Sequence, residues 1–203
     1  MANYKDIKYN FSTSSNATGL GGAWTLIKTQ TVSSSVAALD FIDGTSDVVL
    51  DDTYETYLIV CCNMHPANSA PELRFHPGDG DFTDTKTSVQ WITRMSYSGG
   101  GVTVEVDGSN DLAQGTGGQT VGVNVGNGAT DSCSGHIYLH GPGETDTWKS
   151  YLYDFVSVTA NEMEGCHGGG NIQQEGAIDR FRIDFSSGNI DAGSVSLYGF
   201  SDA

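Results

Sequence analysis

Thr56-Tyr57-Leu58-Ile59-Val60-Cys61-Cys62 decides the fold class of this chain. The run is aliphatic and aromatic throughout, and turn-forming Asp and Asn residues stand on either side of it, the signature of a short strand. Leu58, Val60 and Cys62 share one parity, so the adjacent Cys61 and Cys62 point to opposite faces and at most one of them enters a given core. Working outward, similar runs stand at Trp24 to Val32, Val36 to Ile42, Glu72 to His76, Ser88 to Tyr97 and Val102 to Val106. Others follow at Thr120 to Val125, Ser134 to His140, Lys149 to Val158, Ala177 to Phe185 and Ser194 to Phe200. Many short strands between turn signals, with no stretch of helical apolar spacing, predict an all-β chain. The expected architecture is an antiparallel β-sandwich of jelly-roll type, which leaves few strand edges open.

The expected core comprises Leu26, Leu39, Phe41, Leu58, Val60, Leu73, Phe75, Ile92, Val104, Ile137, Leu139, Leu152, Ile183, Val195 and Leu197. Packing is also the expected role of Trp91, Trp148, Tyr54, Tyr57, Tyr151 and Tyr153. The Gly-dense stretches 98–101, 115–118 and 165–170 read as loops, where a neighbouring backbone can come close. Ser12 to Gly22 is rich in Ser, Thr, Asn and Gly without apolar period. Residues 1–22 are therefore expected to form a polar arm, with Tyr4, Tyr9 and Phe11 as its candidate assembly contacts, ahead of one domain at 23–203.

Nine Lys and Arg against 25 Asp and Glu give a formal net charge of −16 over 203 residues. That charge repels phosphate backbones and anionic lipid, so direct nucleic-acid binding is not expected. No apolar run approaches the length that spans a bilayer, and Met1 to Asp6 has no basic start to a secretion signal; membrane insertion is not expected. Synthesis inside a cell and reduced thiols are expected, with a Cys133–Cys166 bridge as the alternative.

Catalysis finds no support in the residues. The five histidines (65, 76, 136, 140 and 167) lie in no hydrolase or metalloprotease motif, and no phosphate-binding loop is present. His136 and His140 share one strand face about 13 Å apart at 3.3 Å per residue, too far for one metal ion; they read as surface or half-buried histidines. In Gly78-Asp79-Gly80-Asp81-Phe82-Thr83-Asp84 the carboxylates of Asp79, Asp81 and Asp84 could offer oxygen ligands to Ca²⁺. The loop lacks the flanking helices and terminal Glu of an EF-hand, and a hairpin turn explains the same residues. Phe82, if exposed there, would be an adhesive point. No cofactor is expected.

Three stretches together resemble a β-rich module of virion structural and tail-associated proteins of tailed bacteriophages, notably those of cyanobacteria and marine bacteria. The first is Tyr54 to Val60 with Glu72 to Phe75 and the Asp-Gly loop. The second is Ser134 to His140, leading to Trp148 to Phe155. The third and most specific is Ala177 to Ile183 with Ser187 to Ile190 and Gly193 to Phe200, which looks like the module's terminal hairpin. The resemblance spans about Trp24 to Phe200, although the Cys61-Cys62 pair is not part of its pattern. It implies a structural or adhesive role with no active-site residues: a capsid decoration or cement protein, most simply a homotrimer on the virion, touching capsid or tail proteins. The alternative it leaves open is a tail- or head-fibre receptor-binding module that takes a host surface glycan.

Overall fold

The computed structural model describes residues 24–106 and 108–200. Twelve strands follow in order: β1 (Trp24–Thr31), β2 (Ala38–Ile42), β3 (Thr56–Pro66), β4 (Leu73–Gly78), β5 (Lys86–Ser96), β6 (Thr103–Val106), β7 (Gln119–Gly122), β8 (Cys133–His140), β9 (Lys149–Val158), β10 (Glu162–Ile172), β11 (Arg180–Phe185) and β12 (Ile190–Phe200). They form an eight-stranded sheet, β1-β12-β3-β8-β9-β10-β5-β6, and a four-stranded sheet, β2-β11-β4-β7. Every strand pair is antiparallel. The chain is thus all-β, an antiparallel sandwich. With β5, β6, β9 and β10 set aside, every connection along the remaining eight strands crosses between the sheets except β4 to β7, and the first and last of them pair.

Between the sheets, Phe41 stacks on Phe181 (centroids 4.6 Å apart), and Phe75 packs against both Phe181 and Tyr151. Leu39, Phe41, Leu73, Phe75, Ile92, Ile137, Leu139, Ile183, Val195 and Leu197 are buried, as expected. Leu26, Val104 and Leu152 are instead exposed, and Leu58 and Val60 only half-buried. On β3 the inward set is Tyr57, Ile59 and Cys61. Both parities of that run are apolar, so alternation alone cannot orient it; Tyr57 goes inward because its hydroxyl exchanges hydrogen bonds with the Asp51 backbone at 3.1 Å. On β9, Tyr151, Tyr153 and Phe155 face the core, which turns Leu152, Asp154 and Val156 outward.

Residues 165–170, expected as a loop, are part of β10, paired along its length with β9 and β5. Glycine is required there because side chains of the flanking strands lean over it: a Cβ at Gly170 would lie 2.8 Å from Tyr151 Oη, and one at Gly169 2.7 Å from Leu152 Cδ2. β7, the edge strand of the smaller sheet, packs over β9 and β10, and residues 111–115 run along the part of the β5 edge that β6 leaves unpaired. Asp111 Oδ1 accepts from Gln90 N (2.7 Å) and Ser88 Oγ from Leu112 N (2.9 Å). Buried Gln119 takes a hydrogen bond from Tyr151 (3.0 Å) and donates one to Tyr153 (3.2 Å).

Candidate functional site: the outer face of the larger sheet

The two outer faces of the sandwich differ in chemistry. On the four-stranded sheet, Arg182 makes a bidentate pair with Asp40 at 2.7 Å, and Asp184 accepts from Arg74 Nε (2.9 Å) while its Oδ1 lies 3.0 Å from His76 Nε2. Burial would raise the Asp184 carboxyl, but hydrogen bonds from His76 and Arg74 hold it below the usual range. That face is a ladder of paired charges suited to water.

The eight-stranded sheet turns a different set outward. Following the register across the strands, Leu26, Tyr198, Leu58, Tyr138, Leu152, Gly169 and Val89 form one continuous row. On one side of it runs Trp24, Phe200, Thr56, His140 and Ser150. On the other runs Thr29, Ser196, Val60, His136, Asp154, His167, Trp91 and Val106. The only carboxylate in these three rows is Asp154, held by His167 Nδ1 at 2.5 Å. Leu26, Val89, Leu152 and Trp91 are 54%, 51%, 57% and 45% exposed. Aromatic rings fill the gaps: Trp24 lies 5.2 Å from Phe200 and 6.0 Å from Tyr138, His136 and His140 flank Tyr138, and Trp91 stacks on His167. A groove of about 240 Å³ opens on this face between Trp91, His136, Tyr138, Leu152 and Asp154.

Trp91 and Trp148 are therefore exposed rather than packed, whereas Tyr57, Tyr151 and Tyr153 are buried and Tyr54 is half-buried. His136 and His140 are half-buried on β8, as read from the sequence.

Of the residues considered for Ca²⁺, Asp79 and Asp81 are engaged otherwise, while Asp84 Oδ2 is buried and has no hydrogen-bond partner among the described residues. Asp81 Oδ1 accepts from Thr83 N (2.7 Å) and Oγ1 (2.8 Å), which lowers its pKa, and Asp79 Oδ2 accepts from Gln174 Nε2 (3.3 Å). The Asp84 carbonyl accepts from the Lys86 ammonium, which burial pushes down to about 8. Close by, the Lys149 ammonium donates to the carbonyls of Thr147, Gln174, Glu175 and Gly176 at 2.6 to 3.0 Å. Among the described residues no three His, Cys, Asp or Glu side chains gather around one point. Phe82 lies 4.3 Å beneath the Arg182 guanidinium rather than standing free. Tyr4, Tyr9 and Phe11 lie outside the described residues. None of the four cysteines is in a disulfide; Cys62 is exposed and the others are buried. Among the described residues no helix is long and apolar enough to cross a membrane.

No family model, no curated protein and no solved structure matches this chain.

Sequence reading misses this face because parity decides it. The signal was present on β9, where Asp154 shares the parity of Leu152 and Val156 and marks it as the outer one.

Proposed function

We propose that this protein is a structural subunit of a tailed-bacteriophage particle, a capsid decoration or cement protein that works by adhesion between subunits. The observation that carries the reading is the strand order. Taken in chain order, β1, β2, β3, β4, β7, β8, β11 and β12 interleave as first-eighth-third-sixth in one sheet and second-seventh-fourth-fifth in the other. That interleaving supports reading the sandwich as a jelly roll, an architecture used in viral capsid and lectin domains. The insertions β5-β6 and β9-β10 widen one sheet only, enlarging its outer face. The terminal stretch that resembles the phage module coincides with β11 and β12 of this frame, and the second with β8 of the frame and the inserted β9.

In this reading the subunit is a homotrimer on the virion, made in the host cytoplasm, and the arm of residues 1–22 docks on a neighbour or on the capsid or tail. Antibody labelling of intact particles from an infected host tests it. Label at regular positions on the head or tail is expected; purified particles without the protein would refute it.

A second reading is favoured by the groove beside Trp91 and Tyr138, where aromatic rings and the Asp154 carboxylate have the chemistry that holds a neutral sugar ring. There the protein is a fibre-borne module for a host surface glycan. Quenching of tryptophan fluorescence by neutral oligosaccharides, abolished in Trp91→Ala, would support it.

A further inference from the structure

We infer that the outer face of the eight-stranded sheet is covered, in the working protein, by a second copy of this chain. This goes beyond the proposed function, because it gives the chain a two-fold contact between copies, separate from the three-fold assembly proposed there, and does not depend on the particle they sit on.

The face is large enough. Eight strands at about 4.8 Å spacing span roughly 34 Å, and three rows of outward side chains cover roughly 20 Å along the strands. The resulting area of at most about 700 Å², polar and apolar side chains together, approaches the roughly 800 Å² that each partner contributes to a stable interface. It also has the composition of an interface core, rich in Trp, Tyr and Leu and depleted of charge.

Electrostatics select the partner. Each chain carries −16, so two copies repel unless they meet where carboxylates are scarce. The three outward rows hold one carboxylate, Asp154, already held by His167 at 2.5 Å. A strongly charged partner of either sign would find nothing there to pair with. The ribbon Leu26-Tyr198-Leu58-Tyr138-Leu152 reads the same from either end, so a second copy laid across it sets leucine and tyrosine against their like in both directions. The opposite outer face, with Arg182–Asp40 and Arg74–Asp184 already paired, has no comparable need of a cover.

Analytical ultracentrifugation of the full chain tests the inference, alongside Leu26→Arg and Leu152→Arg and with Ser187→Arg on the β11–β12 turn as control. Leu26 and Leu152 are more than half exposed, so neither variant should disturb the fold; far-UV circular dichroism checks this. The wild type is expected at twice 21.5 kDa or a multiple of that pair. Each leucine variant should weaken self-association by at least about 30-fold, the size of an interface hot spot, and the control should leave it unchanged. A single-chain mass at high micromolar concentration overturns the inference, and quenching by neutral oligosaccharide would then give the face to a sugar. An oligomer that both leucine variants leave intact overturns it equally.

Discussion

Replacing Gly168 with alanine places one methyl group where β9 and β5 leave no room for it. Gly168 sits in β10 opposite Tyr153 on one side and Gln90 on the other. Its Cβ would lie 2.6 Å from Tyr153 Cζ and 2.6 Å from the Val89 carbonyl oxygen, well inside van der Waals contact. The carbonyl belongs to a paired strand and cannot retreat. Tyr153 is buried, and its hydroxyl accepts from Gln119 Nε2 at 3.2 Å, so swinging the ring away breaks a buried hydrogen bond. Overpacking costs about 1–3 kcal/mol and the lost hydrogen bond about 1 kcal/mol. Against these, alanine in a strand gains roughly 0.5–1 kcal/mol over glycine by restricting the unfolded chain. A net loss of about 1–3.5 kcal/mol is expected, read as a fall in melting temperature of roughly 2–14 °C by circular dichroism. Gly117→Ala, where a Cβ meets nothing within 4 Å, should change stability by less than about 0.5 kcal/mol. Adding Tyr153→Leu to Gly168→Ala should cost less than the sum of the two single changes, because the smaller side chain vacates the space. A Gly168→Ala protein as stable as the wild type would refute the reasoning and return residues 165–170 to a loop.

Three further outcomes are expected. Lys86, whose ammonium burial pushes down to about 8, titrates near 10.4 when unfolded, so the unfolded state holds more protons between those values and this group's contribution to stability rises with pH across the window. Compared with Lys86→Met in urea unfolding, the wild type should gain about 3 kcal/mol between pH 7.5 and 10.5; an unchanged difference would contradict the burial argument. Asp184, held low by His76 and Arg74, contributes stability that is present above about pH 4 and lost as pH falls through its folded value. Asp184→Asn should therefore cost about 1.5–3 kcal/mol at pH 7 and flatten the acid limb of the stability profile. Finally, one thiol per chain, Cys62, should react with a water-soluble disulfide reagent in the native protein and all four on unfolding; burial pushes the Cys133 thiol up to about 12, which withholds the thiolate.

The frame of the fold was legible where apolar residues alternate with polar ones. Phe41, Phe75 and Ile183 announce their strands and their inward parity, because Asp40, Arg74 and Arg182 between them must face water. Legibility fails in two physical situations. On β3 both faces are apolar, one for the core and one for the exposed sheet face, and a continuous apolar run has no parity to read. On β10 the pattern is erased because Tyr151, Tyr153 and Leu152 supply the packing that its glycines lack, so a central strand carries the composition of a loop. The candidate site was hidden for the first of these reasons: Leu26, Leu58, Val60 and Leu152 look like core residues because they are built to be buried, though not by their own chain's second sheet.

Hydroxyl-radical footprinting with mass spectrometry, comparing the wild-type assembly with the Leu152→Arg protein, tests most directly whether the larger sheet's outer face is the working surface. Trp24, Leu26, Tyr138 and Trp91 should be protected in the assembly and become reactive in the variant, while Phe82, in the β4–β5 loop beneath Arg182 of the smaller sheet, reacts equally in both. Equal labelling of those four residues in the two proteins would contradict the account.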